Sequence, residues 1–375
     1  MKRPLLLAAA LLAAVPAASS AAIFGTNPIN ISVPASGDPA DGPSGGAAMS
    51  GDDRSGRNAA FHSDATNLVG GDTNGQRDVF LWTRPNTPPG AQNAFPSGGL
   101  ERVSVSSGGQ QGDGASQNPS VDGSLRSAPK CVAFESTATN LAAGDASPDS
   151  DIFVRNFKAR STTLVSGGVP GAATNPSIQG NCGSVVFESG GSVFQGKASG
   201  GSAKKLGGGS NPDISLDGSA IAWESGGGVT FRRAGKSSKV RGASAPQPSD
   251  KENGTWGLGY EKGSDVFLGV FKSRGGQKGS ANASGQVGGD AKLAGVSAFA
   301  ANRGIVTFWS GNSLFDFNKN SGGSDDLANA TSPIKDAQAG ARANFDVFTA
   351  ASGDKDFLGD GNGGVDDVWF KSLPQ

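Results

Sequence analysis

A short apolar strand ending in an aromatic residue recurs seven times in this chain, and each copy is followed by a second strand of the same kind. The first set is Ala59-Ala60-Phe61, Val132-Ala133-Phe134, Val185-Val186-Phe187, Ile221-Ala222-Trp223, Leu258-Gly259-Tyr260, Val306-Thr307-Phe308 and Asp346-Val347-Phe348. The second is Val79-Phe80, Ile152-Phe153, Val193-Phe194, Val229-Thr230, Val266-Phe267, Leu314-Phe315 and Val368-Trp369. β-Branched and aromatic residues alternating with polar ones suit half-buried strands, and no stretch after residue 22 carries a helical stripe.

The spacing between the two strands sorts the units. Phe187 and Phe194 lie 7 residues apart, as do Trp223 and Thr230, Tyr260 and Phe267, and Phe308 and Phe315. That interval predicts a hairpin closed by a tight glycine-rich turn. Phe61 to Phe80 and Phe134 to Phe153 each span 19 residues and Phe348 to Trp369 spans 21, so three units carry an insertion. A third element precedes the aromatic strand, as in Asn118-Pro119-Ser120, Asn175-Pro176-Ser177 and Asn211-Pro212-Asp213. Proline there suits an inner strand that is partly unpaired. A fourth strand closes several units, as in Arg102-Val103-Ser104-Val105 and Thr163-Leu164-Val165-Ser166.

Four antiparallel strands per unit, repeated around a ring, make an all-β propeller. Seven four-stranded antiparallel blades are expected, with six as the alternative count. The last unit has no room for its fourth strand, whereas Ile29-Asn30-Ile31-Ser32-Val33 is a spare one. The N-terminal strand is therefore expected to complete the last blade, which would remove a free sheet edge.

The run Asn211-Pro212-Asp213-Ile214-Ser215-Leu216-Asp217-Gly218-Ser219-Ala220-Ile221-Ala222-Trp223-Glu224-Ser225 resembles the WD40-like (PD40), TolB-type propeller repeats of bacterial envelope proteins. A longer variant reads Ala65-Thr66-Asn67-Leu68, Gly71-Asp72-Thr73-Asn74-Gly75 and Asp78-Val79-Phe80, and recurs from Ala138 to Phe153. The resemblance implies a propeller over nearly all of the chain and leaves its ligand open. The stretch from 244 to 333 matches the pattern poorly. No counterpart of TolB's extra N-terminal domain is found, so TolB's partner-binding role is not carried over.

Met1-Lys2-Arg3, an apolar run from Leu5 to Val15 and small residues through Ala22 read as a secretory signal peptide, too short in its apolar part to span a bilayer. The expected organisation is a signal peptide over 1–22, cleaved near Ala21 or Ala22, then one propeller domain over 23–375. That places the protein outside the cytoplasm, secreted or periplasmic, as a monomer without a transmembrane segment. A net charge of −1 gives no basic surplus for nucleic acid. Cys131 and Cys182, the two cysteines, precede the aromatic strands of adjacent units. In an oxidising compartment they are expected to pair, stapling the second and third blades; free buried cysteines are the alternative.

The insertions supply the sharpest chemical signal. Asp72, Asn74 and Asp78 place oxygens at alternate positions around a turn, as do Asp145, Ser147, Asp149 and Asp151, and again Asp360, Asn362 and Asp366. Such layouts can wrap a calcium ion, the one cofactor considered. The alternative is that these side chains bond to nearby backbone amides and shape the turns. Once the ring closes, the three insertions fall in neighbouring units and at equivalent connections. They are expected to form a binding face marked by Asn67, Asp72, Asn74, Asn140, Asp145, Asp360 and Asn362.

Catalytic residues are not assigned. His62 is the single histidine, and no Ser-His-Asp order is credible. Asp213, Asp217 and Glu224 could serve glycoside hydrolysis, but Asp217 belongs to the repeat's own turn and Glu224 has counterparts at Glu135 and Glu188. The expected function is a non-catalytic binding scaffold for a protein or glycan of the cell envelope. The alternatives are a polysaccharide-processing enzyme using carboxylates in the central funnel, and a calcium-stabilised structural protein.

Overall fold

Each of the seven aromatic strand ends lies directly opposite the residue expected for it. Phe61 faces Phe80, Phe134 faces Phe153, Phe187 faces Phe194, and Trp223 faces Thr230. Tyr260 faces Phe267, Phe308 faces Phe315, and Phe348 faces Trp369. Five of these pairs stack with ring centroids 5.3–6.0 Å apart. Cross-strand aromatic pairs of this kind contribute about 0.5–1.5 kcal/mol each beyond burial.

The computed structural model describes residues 28–52, 57–84, 99–125, 127–145, 147–273, 277–285, 287, 290–297, 304–341, 345–351 and 364–372. The expected signal peptide, Asp360 and Asn362 lie outside them. Every regular element among the described residues is a strand, in seven antiparallel sheets of four. Blade 2 is typical, with strands a to d at Ser116–Val121, Cys131–Ser136, Asp151–Asn156 and Ser161–Leu164. Blades 1, 3, 4, 5 and 6 cover 44–102, 173–208, 210–241, 244–282 and 292–329. The poorly matching stretch thus forms blades 5 and 6. The count is seven, and the six-blade alternative is set aside.

Blade 7 takes its outer strand from the other end of the chain. Its sheet runs Ile29–Asn30, Asp366–Ser372, Phe345–Ala351, Asp336–Ala339. Ile29 pairs with Phe370 and Asn30 with Trp369, and the Ile31 amide continues the ladder to the Val368 carbonyl at 2.9 Å.

The core sits between blades. Val132 and Phe134 pack toward blade 1, whereas Ala133 between them packs toward blade 3. Strand alternation sends successive side chains to opposite faces of a sheet, so the Val-Ala-aromatic motif buries its bulk on one neighbour and a methyl group on the other. Seven hydrophobic clusters result, one for each gap in the ring, including that between blades 7 and 1. The short hairpins turn as the spacing predicted. Gly190 and Gly191 have φ of 53° and 69°, and Gly226 and Gly227 have 41° and 75°, a conformation that suits glycine and twists with the strands.

Cys131 and Cys182 form a disulfide with Cα atoms 5.9 Å apart. It joins strand b of blade 2 to the a–b turn of blade 3, the staple expected. By loop closure, a crosslink over this separation of 51 residues contributes about 4 kcal/mol at most.

Candidate functional site

The innermost strands line the central channel, and six of them, in blades 1 to 6, are broken by a bulge. The bulge places Gly46, Asn118, Asn175, Asn211 and Ala245 at φ between 45° and 62° in blades 1 to 5. Asparagine tolerates this left-handed conformation better than most residues, and proline follows it in blades 2 to 5. Where the ladder is interrupted, the bulge amide needs another acceptor.

In blades 1, 3, 4, 5 and 6 a carboxylate from the preceding blade supplies it. The Asn175 amide donates to Glu135 Oε2 at 3.0 Å, the Asn211 amide to Glu188 Oε2 at 2.7 Å, and the Ala245 amide to Glu224 Oε1 at 2.8 Å. Leu293 donates to Glu261 Oε1 at 3.0 Å, and Gly46 to Asp336 Oδ2 at 3.2 Å. Within blades 2, 3 and 4 the asparagine Nδ2 atoms of Asn118, Asn175 and Asn211 donate to Glu135, Glu188 and Glu224 at 2.8, 2.9 and 3.1 Å. A chain of charge-assisted hydrogen bonds therefore runs from blade to blade around half of the channel. Glu224, weighed as a possible acid, is one link of this girdle.

Asp213 is the exception among the carboxylates considered. It follows Pro212 and points into the channel wall, where Oδ1 accepts hydrogen bonds from the Ser177 hydroxyl and the Ile214 amide. Burial raises its carboxyl to about 6, opposed by those two donors. Asp217 lies at the opposite face, in the a–b turn. Its Oδ1 takes the Ser219 amide and the Ser215 hydroxyl, each at 2.8 Å, and its Oδ2 takes the Lys251 amide at 3.1 Å.

The described insertions, 64–77 and 137–150, leave strand b and return to strand c on the face where the bulges open. Asn67 donates to the Pro39 carbonyl at 2.8 Å and accepts the Asp41 amide at 3.1 Å. Asn140 repeats this with the Gln111 carbonyl at 2.9 Å and the Asp113 amide at 3.1 Å. Thr66 and Thr139 bond to Asp41 and Asp113 in the same way. Both asparagines thus pin an insertion to the segment that enters its own blade.

The acidic residues of the two insertions meet different partners. In blade 1, Arg102 reaches Asp72 Oδ2 at 3.1 Å and Asp78 Oδ2 at 3.3 Å, and Asn74 donates to Asp78 at 3.2 Å. Burial still raises the carboxyls of Asp72 and Asp78, with Arg102 working against it. In blade 2 the position of Arg102 is held by Leu164, as the equivalent amides of Val103 and Val165 show. Asp145 there accepts the Ser147 amide at 3.2 Å, while its Oδ2 is buried with no hydrogen-bond partner. Burial raises its carboxyl, and Asp151 raises it further. Asp149 is exposed, and its amide donates to Ser147 Oγ at 3.1 Å. Asp151 accepts the Ser166 hydroxyl.

In the last blade the residue in register with Asp78 and Asp151 is Asp367, not Asp366. Ser104, Ser166 and Ser32 bond to Asp78, Asp151 and Asp367 in turn, whereas Asp366 pairs with Lys335. Arg102 was the residue that sequence reading passed over; it was visible only as the start of a closing strand. His62 stands where blades 2 to 5 carry glutamate and lies against Gly46, with burial lowering its imidazole to about 4.

No family model matches the chain, and no curated protein matches it. Among solved structures the chain is similar to one described as "Structure of U3-55K", at 13% identity and a TM-score of 0.48, over 90% of this chain and 97% of that one. At that distance the likeness adds nothing to the ring, which stands on its strand pairing.

Proposed function

We propose that this protein is a non-catalytic binding scaffold of the WD40-like, TolB-type kind, acting outside the cytoplasm on a protein or glycan of the cell envelope. One observation carries the reading. Among the described residues, those lining the two channel cavities include a single carboxylate, Asp213, whereas glycoside hydrolysis needs a pair about 5–10 Å apart. Glu135, Glu188 and Glu224 are spent on the inter-blade girdle, and Asp217 on a turn. The N-terminal segment and the disulfide support the compartment, and no helix among the described residues is long and apolar enough to cross a membrane.

The partner is expected at the face of the insertions. A photo-crosslinking residue at exposed Gly70 or Ala143 should capture it from envelope material, and one at exposed Asn181, on the opposite face, should not. Capture from Asn181 alone would reverse the face. Polysaccharide cleavage by the wild-type protein that is lost in Asp213→Asn would replace the scaffold by an enzyme. A second reading, calcium held by the blade 2 insertion, is favoured by the unpartnered Asp145 oxygen.

A further inference from the structure

The wall of the central channel is unbalanced in its hydrogen-bonding groups. A cavity of about 290 Å³ opens on the insertion face. A second, of about 80 Å³, continues toward the other face, and the two share Ser120, Ser177, Asp213, Gln247 and Gln338. Pro119, Pro176, Pro212 and Pro246 line the first cavity, and proline has a carbonyl but no N–H to offer. Asn118, Asn175 and Asn211 line it too. Each has turned its Nδ2 toward a glutamate, the only orientation a carboxylate accepts, so its uncommitted atom is the carbonyl Oδ1.

None of the three Oδ1 atoms has a hydrogen-bond partner among the described residues, and neither has Asp213 Oδ2. Among the described residues the lining contains no lysine, arginine or histidine. The carboxylates of Glu135, Glu188 and Glu224 stand directly behind the asparagines and add negative potential. An acceptor-rich, anionic cavity favours a ligand that is rich in donors and positively charged.

We propose that the channel mouth receives a protonated amine or guanidinium group, bound by Asp213 and the three asparagine carbonyls. This rests on the scaffold reading and names the chemistry its partner would present. The group reaches the site either as a lysine or arginine side chain of a protein or as a free polyamine.

The test is calorimetry at low ionic strength with Nα-acetyl-arginine amide, its neutral isostere Nα-acetyl-citrulline amide, spermidine, and a short arginine-containing peptide. The arginine compound should bind saturably and the citrulline compound about tenfold more weakly or not at all, the scale of one charge-assisted hydrogen bond. Asp213→Asn should weaken arginine binding by about tenfold. Asn211→Gly, which keeps the left-handed backbone while removing one carbonyl, should weaken it several-fold. Tighter binding of the peptide than of spermidine assigns the group to a protein, and the reverse assigns it to a polyamine. Equal affinity for arginine and citrulline, an Asp213→Asn variant that binds as wild type does, or no saturable binding of any cationic probe overturns the proposal. Crosslinked capture at Gly70 that persists undiminished in Asp213→Asn would sink the channel site while leaving the scaffold standing.

Discussion

The Ser32 hydroxyl donates a hydrogen bond of 2.9 Å to Asp367 Oδ1 across 335 residues of sequence. The Val368 amide then donates to Ser32 Oγ at 3.0 Å. Blades closed by consecutive chain use the same lock. Ser104 bonds to Asp78 and receives the Val79 amide, and Ser284 bonds to Asp265 and receives the Val266 amide. The N-terminal segment therefore enters blade 7 in the register of an ordinary fourth strand.

That relationship fixes the first prediction. Ser32→Ala leaves the buried Asp367 and Val368 groups short of a partner and should cost about 1–3 kcal/mol, read from urea denaturation midpoints. Removing residues 28–33 should do more, because it bares the Asp366–Ser372 strand as a free edge. Aggregation or loss of cooperative unfolding by size exclusion and circular dichroism is the expected result. A truncated protein that melts like the full chain would mean that blade 7 does not need this strand.

Glu188 offers a test of the girdle. Glu188→Ala strips an acceptor from the Asn211 amide and from Asn175 Nδ2 together. The expected loss is about 1–3 kcal/mol of stability. Glu188→Gln keeps one acceptor oxygen and should lose less. Were both variants as stable as wild type, the girdle would be decoration on a ring held by its seven apolar clusters alone.

The fold was legible in the chain because its core repeats. Val132, Ala133 and Phe134 alternate between two neighbouring blades, so a three-residue motif reports both packing faces. The distance from Phe187 to Phe194 reported the turn length directly. The bulges were half legible: Asn-Pro marked an inner strand, but the glutamates that satisfy it lie a whole blade away in sequence. Glu135, Glu188 and Glu224 could be recognised as repeated without revealing what they hold. Arg102 was hidden for a related reason. Its carboxylates stand 24 and 30 residues earlier, and no local pattern links them. The sequence offers two adjacent aspartates at Asp366 and Asp367, and only strand register shows that the second holds the repeat position.

The contrast between Arg102 and Leu164 makes the calcium reading testable. Arg102 already sits between Asp72 and Asp78, so the blade 1 insertion has its counter-charge. Leu164 leaves Asp145 and Asp151 without one, and Asp151 raises the Asp145 carboxyl, a repulsion that a bound cation would relieve. Millimolar calcium should raise the melting temperature, chelation should reverse the rise, and Leu164→Arg should make the protein indifferent to both. A calcium effect that survives Leu164→Arg would move the ion elsewhere. Identical melting in calcium and in chelator would end the reading for blade 2.

Buried carboxyls set the direction of the pH dependence. Burial raises Asp122 and Asp213 to about 6, and Asp250 and Asp316 to about 7, from an ordinary value of 3.8. A carboxyl raised in the folded state binds its proton more tightly there than in the unfolded chain. Its contribution to stability is complete below the unfolded value and is lost as pH climbs through the folded value. His62, lowered from 6.5 to about 4, works the other way: its contribution is present above 6.5 and is lost as pH falls toward 4. Lys371, lowered from 10.5 to about 8, likewise contributes at high pH and loses its share between those values. Between pH 6 and 8 the carboxyls outnumber both, so the melting temperature should fall as pH rises across that window. Asp316 lies with Asp346 and Lys371 between blades 6 and 7, and Asp325 raises it further. Asp316→Asn removes one proton from the linkage while keeping an acceptor for Thr307, so it should flatten the slope of melting temperature against pH. A melting temperature that climbs from pH 6 to pH 8 would show that these carboxyls titrate near their ordinary values and that water reaches them.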